Sequence, residues 1–283
     1  MYSTLIQPSE LMALRNAGTP VLVLDSSFDL SDPGAGRAQF EREHLPGSLY
    51  VHLDHDLSDK SRPASEGRHP LPDVQVFAGT LARLGLNQGT QVVVLDRQGA
   101  NYCGRLWWML RWAGHDAVAV LDGGLPAWKA AGGAIESGPT ALPAPGNFQF
   151  KPALTSPVDT ASLLARLGRA DTTVIDARAA ARFCGEVEPL DPVAGHIPGA
   201  LNRPFGDNLQ ADGRFKTAEQ LRAEFLRLLG GRDPATVVHH CGSGVSALPN
   251  VLAMEIAGLS GSQLYPGSWS AWCNTEGTPR ARG

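Results

Sequence analysis

The chain has 283 residues, 43% of them apolar, a formal net charge of -4 and four cysteines. Those values exclude a disordered chain and leave room for one large domain or two of ordinary size. They also leave nucleic-acid binding without the basic surface it needs.

The first residues, MYSTLIQPSELMALRNAG, hold no basic segment followed by an apolar one, so no secretory signal is expected. No apolar run approaches ~18 residues, so no membrane span is expected. Short apolar runs at Val21–Asp25, 92–95 and Val118–Leu121 have the length of buried parallel strands. Residues 106–112, with Trp107, Trp108 and Trp112, read as a helix whose tryptophans pack a core or an interface. Prolines 139, 143, 145, 152 and 157 mark an extended linker over 139–157. Beyond it come runs at Thr173–Asp176 and 236–239, and helical stretches at 221–229 and Leu248–Ile256. Strands alternating with helices predict an α/β protein, with parallel sheets flanked by helices.

The same pattern occurs twice. Asp25 falls on Asp176 at an offset of 151, and His44-Leu45-Pro46-Gly47 on His196-Ile197-Pro198-Gly199 at 152. Val92 to Asp96 falls on Val237 to Cys241 at 145, and residues 120–128 on 264–272 at 144. Such small drift means one unit copied once, with small loop changes. The expected division is an N-terminal copy over 1–138, the linker over 139–157, and a C-terminal copy over 158–283.

Cys103, Cys184, Cys241 and Cys273 are widely spaced and form no CxxC pair. That argues against a zinc site or a disulfide framework and favours a reducing, cytoplasmic setting. Cys241 stands apart from the others. It follows a strand directly, precedes Gly242-Ser243-Gly244-Val245-Ser246-Ala247, and is followed by a helix with Pro249 in its first turn. A tight Gly/Ser loop at a strand's carboxyl end turns N–H groups toward one point, and the helix N-terminus adds positive potential. Such a cradle suits a thiolate nucleophile, or a persulfide formed on it. Phosphoryl transfer on a Cys-x5-Arg pattern is disfavoured, because Ala247 stands at the arginine position. In the first copy Asp96 replaces the cysteine, so that copy is expected to be catalytically silent. His239 and His240 lack a third donor at metal-ligand spacing and are read as structural.

Together these residues resemble the tandem rhodanese family, in particular its 3-mercaptopyruvate sulfurtransferase branch. The loop Cys241-Gly242-Ser243-Gly244-Val245-Ser246-Ala247 and the GHIPGALN stretch at 195–202 carry the resemblance, which spans nearly the whole chain. Neutral Gly242 and Ser243 suit an organic donor better than dianionic thiosulfate. The resemblance implies substrate binding by Arg182, alongside the loop residues Gly242, Gly244, Val245, Ser246 and Ala247. It further implies a relay of Ser243, His69 and Asp56, with the donor carbonyl or a proton as its object. A second arginine, usual in this branch some nine residues after Arg182, is missing. The stretch reads Glu188-Pro189-Leu190-Asp191-Pro192 instead.

The implied reaction moves sulfane sulfur from 3-mercaptopyruvate, through a Cys241 persulfide, to a thiol, a thioredoxin-like dithiol protein or cyanide. No metal or organic cofactor is implied, and neither nucleic acid nor membrane is an expected partner. Thiosulfate as donor, or a non-catalytic binding module on the same fold, are the alternatives.

Overall fold

A computed structural model describes all 283 residues, and no helix in it is long and apolar enough to cross a membrane. The first sheet has five strands: β1 Leu5–Ile6, β2 Val21–Asp25, β3 Leu49–Tyr50, β4 Gln91–Leu95 and β5 Val118–Leu121. Their order is β1-β5-β4-β2-β3, all parallel. The second sheet has four strands: β6 Thr173–Asp176, β7 Leu201–Asn202, β8 Val237–His240 and β9 Gln263–Leu264, in the parallel order β7-β6-β8-β9. A parallel bridge from Pro157 to Leu264 stands where β1 stands in the first sheet.

The long strands lie where the apolar runs predicted them. The two-residue strands β1, β3, β7 and β9 went unread, because two residues carry no periodicity. The longer helices are Pro8–Asn16, Val74–Arg83, Cys103–Trp112, Ala218–Leu229 and Leu248–Ile256. Trp107 and Trp108 are buried in the first unit, as core packing requires.

Both cores are built from corresponding positions of the repeat. Ile6, Leu11, Val23, Leu45, Val93, Leu125 and Trp128 cluster in one. Val158, Leu163, Val174, Ile197, Val238, Trp269 and Trp272 cluster in the other. Each pair is related by the offset of its own stretch, so the duplication extends to the interior packing.

The compact units are not continuous in sequence. One comprises Met1–Ser58, Pro72–Leu154 and Ala211–Phe215; the other comprises Asp59–Leu71, Thr155–Gln210 and Lys216–Gly283. The segments 59–71 and 211–215 thus pack with the unit that lies across the linker from them in sequence. Specific bonds fix them. The Phe215 N–H donates to Asp122 at 2.9 Å in the first unit. In the second, His69 bonds Ser243 and Arg68 pairs with Asp191. Arg68 and His69 therefore come from the N-terminal part of the chain but belong to the unit that carries Cys241.

Candidate active site

β8 delivers the chain to Cys241, and its register against β6 is set by main-chain bonds that continue past its end. The Ala177 N–H donates to the His240 carbonyl at 2.9 Å. The loop then turns through Gly244, whose φ of +73° belongs to the left-handed region. A Cβ there would also lie 2.2 Å from the Pro266 carbonyl oxygen, so only glycine fits. The helix Ser268–Cys273 holds the loop from the other side. Trp269 and Ser270 donate their N–H groups to the carbonyls of Cys241 and Gly242, at 3.0 and 2.9 Å. The Cys241 N–H donates to Ser268 Oγ at 3.1 Å, and that hydroxyl donates to the Tyr265 carbonyl at 3.0 Å. Ser268 itself has a φ of +55°, a strained value for a residue with a Cβ. The sequence reading missed Ser268, although the repeat held the signal: its counterpart 144 residues earlier is Gly124, at φ +57°.

Cys241 is only 2% exposed, and its neighbours Val245 and Ala247 are buried while Ser246 is partly open. Burial pushes Cys103 far above the usual thiol range and Cys273 up to about 11, so neither is a nucleophile near neutrality. All four cysteines are unpaired.

Ser243 Oγ lies 2.8 Å from His69 Nδ1, and both side chains are buried. Two of the three expected relay members thus meet. Asp56 belongs to the first unit, where Oδ1 accepts from Arg83 and Oδ2 from the His52 N–H, each at 2.8 Å.

Two guanidinium groups face the residue after the nucleophile. A Cβ on Gly242 would lie 2.9 Å from Arg68 Nη2, and 3.4 and 3.5 Å from the two terminal nitrogens of Arg182. Gly242 is therefore a gap through which charge reaches the loop. Arg182 donates to Glu188 Oε1 at 2.6 Å and has Asp191 Oδ2 at 3.5 Å. Arg68 pairs with Asp191 Oδ1. Beneath them Arg178 joins Asp176 at 2.7 Å and Glu188 at 3.2 Å, and covers the Trp269 ring at 4.9 Å. Burial acts to raise Glu188. Hydrogen bonds from Arg182 and from the N–H groups of Leu190 and Asp191 outweigh it and hold the carboxyl below its usual range. Asp176 is depressed likewise, with the Arg178 guanidinium bonded to it overcoming its burial. Sequence reasoning missed Arg68, Arg178 and Glu188, because an arginine that will be buried looks in sequence like one that will be solvated.

A cavity of about 290 Å³, lined by residues including Pro70, Thr160, Tyr265 and Pro266, neighbours the loop but includes neither Cys241 nor a guanidinium.

A strand-end cysteine in a small-residue loop, serviced by a hydroxyl–imidazole pair and two arginines, defines a covalent group-transfer enzyme of α/β architecture. The rhodanese-like domain family matches residues 7–131 and 159–275. A probable 3-mercaptopyruvate sulfurtransferase of Pseudomonas aeruginosa is 45% identical over 284 residues, covering 100% of both chains. A putative thiosulfate sulfurtransferase, SseB, of Mycobacterium tuberculosis is 41% identical, covering 99% of this chain and 97% of its own. Among solved structures, the 3-mercaptopyruvate sulfurtransferase of Leishmania major superposes with a TM-score of 0.83 at 31% identity, covering 95% of this chain and 73% of that one. The chain belongs to the rhodanese family of sulfurtransferases.

Proposed function

We propose that Cys241 takes the sulfur of 3-mercaptopyruvate and passes it on as a persulfide. The Cys241 thiolate attacks the donor's thiol sulfur, and the carbon–sulfur bond breaks with its electron pair going to carbon. The resulting enolate takes a proton and leaves as pyruvate. The transferred sulfur stays on Cys241 as a persulfide anion, held by the loop's N–H groups and the adjacent guanidinium charge. Arg182 binds the donor carboxylate, since a planar fork matches two oxygens. The Ser243–His69 pair sits where a hydroxyl can polarise the 2-oxo group or hand over the proton. Asp56 stays the third relay member that the resemblance implies, with Arg83 and the His52 N–H fixing its carboxylate. An acceptor thiol, a thioredoxin-like dithiol or cyanide then attacks the outer sulfur and restores the thiolate. Four unpaired thiols suit a reducing compartment, and we place the protein in the cytoplasm on that ground.

The observation that carries this reading is the convergence on one loop of a strand-end cysteine, a hydroxyl–imidazole pair and two arginines. Thiosulfate is the second reading, favoured by the name of the Mycobacterium relative. Against it, Glu188 and Asp191 already neutralise the arginines, which disfavours a dianion.

Intact mass after incubation with each donor tests both. The first reading expects a gain of about 32 Da with 3-mercaptopyruvate, absent in Cys241→Ser, and a slower gain with thiosulfate. Faster loading by thiosulfate overturns the donor assignment. Turnover of Cys241→Ser within about a thousandfold of the native protein overturns the nucleophile.

A further inference from the structure

Position 191 lies nine residues after Arg182, where the sequence resemblance leads one to expect a second arginine, and it holds an aspartate. The side chain of Asp191 is 2% exposed. Its Oδ1 is taken by Arg68, while its Oδ2 is buried without a hydrogen bond, 3.5 Å from the Arg182 guanidinium. One carboxylate therefore lies between two guanidinium groups, and both of those lie against Gly242. The side chains of Arg68 and Arg182 are 25% and 19% exposed, so they are the members of this cluster that solvent can reach.

We infer that Arg68 is a substrate-binding residue that supplies the second guanidinium of the donor site, and that Asp191 is an internal carboxylate which the donor's own carboxylate displaces from the pair. This deepens the proposed function and rests on Cys241 as the sulfur carrier. The sequence has moved a cation rather than lost one. The arginine comes from the 59–71 segment, and an acid stands where the arginine was expected. Around the loop Arg68, Arg178 and Arg182 are balanced by Asp176, Glu188 and Asp191. The site therefore offers shape and paired donors to a planar monoanionic carboxylate, and no excess charge to a dianion. The donor's carboxylate competes with Asp191 for the same guanidinium donors, and that competition sets the charge selectivity of the site.

The test reads charge selectivity at Cys241 independently of any sulfur donor. Alkylation rates with iodoacetate, a small carboxylate, and iodoacetamide, its neutral isostere, are measured on the full-length protein by peptide mass mapping. Any change in thiolate fraction cancels in their ratio. Relative to 2-mercaptoethanol, native Cys241 is expected to favour iodoacetate. Arg68→Gln should lower the ratio about tenfold, Arg68→Lys less, and Asp191→Asn should raise it several-fold. Asp191→Asn should also load sulfur from thiosulfate faster than the native protein does. A ratio unmoved by Arg68→Gln but lowered by Arg182→Gln overturns the role of Arg68. A ratio unmoved or lowered in Asp191→Asn overturns the role of Asp191. If Arg68→Gln does not fold, Arg68→Lys and Asp191→Asn decide. Donor mass-loading on the native protein separates the two claims. A ratio that responds as expected without sulfur gain leaves the carboxylate site standing and removes the sulfurtransfer reading.

Discussion

Ser268 shows how much strain a single residue can carry for a neighbour's benefit. Its backbone is left-handed, which costs a Cβ-bearing residue about 1–2 kcal/mol, and its hydroxyl is the acceptor for the Cys241 N–H. The first unit keeps the backbone value and drops the side chain, using Gly124. Two substitutions separate the terms. Ser268→Ala keeps the strain and orphans a buried N–H, so it should destabilise by about 1–3 kcal/mol. Ser268→Gly orphans the same N–H but relaxes the backbone, and should be the more stable of the two by about 1 kcal/mol. Urea unfolding measures the difference, and equal losses would mean the strain is not real. Both variants should lose sulfur-transfer rate, because each loosens the main chain at Cys241.

The loop, as an element, exists in an occupied and a working version. In the first unit Asp96 stands at the cysteine position and fills the cradle itself. Its Oδ1 accepts from the N–H groups of Gln98 and Ala100, and its Oδ2 from those of Tyr102 and Cys103, all at 2.8 to 3.0 Å. This loop gathers four donors on one anion, which is the property inferred for the Cys241 loop from its composition. Asp96→Asn turns an amide toward two of those donors and should cost about 2 kcal/mol. Asp96→Ala leaves all four without an acceptor and should cost about 3 kcal/mol or more. Reactivity of the buried Cys103 with a thiol reagent at moderate denaturant reports this locally. Unchanged protection of Cys103 in Asp96→Ala would refute the cradle argument.

The same elements show what was legible in the sequence. β2, β4, β5, β6 and β8 carry unbroken apolar runs, so their period and length were enough to find them. Cys241 was legible because small polar residues crowd a strand end with no packing reason to do so. The union of His69 with Ser243, 174 positions away, came from the resemblance to known proteins and not from spacing. Arg68 and Asp191 are 123 positions apart, and no periodicity links them. The packing of 59–71 with the second unit rests on tertiary bonds in the same way.

At the scale of the whole molecule, the second copy carries a built-in sensitivity to acid. The second unit buries His239 and His240 side by side at the end of β8. Burial, with His240 and Arg203 adding to it, pushes His239 down to about 3, and burial also lowers His240 despite Asp176. His239 is neutral in the folded protein, and its Nε2 lies 3.1 Å from Met254 Sδ. An unfolded chain protonates the same imidazole near pH 6.5. Between pH 6.5 and about 3 the unfolded state therefore binds one proton more at this position, and stability falls as pH falls. At pH 5 the histidine alone costs about 2 kcal/mol relative to pH 7.5. Asp176 and Glu188 contribute in a lower window. Both are held below the usual carboxylate range, so their support is complete above the unfolded value and is lost as pH drops through the folded one. Urea unfolding of the second unit at pH 7.5 and 5 should thus differ mainly through histidine. His239→Leu, which fills an apolar site with a side chain of similar size, should shrink that difference by about 2 kcal/mol. If the full difference persists in His239→Leu, the acid sensitivity lies with His240, 3.6 Å from Asp176, and the β8 histidines would have to be treated as a network instead of as separate buried bases.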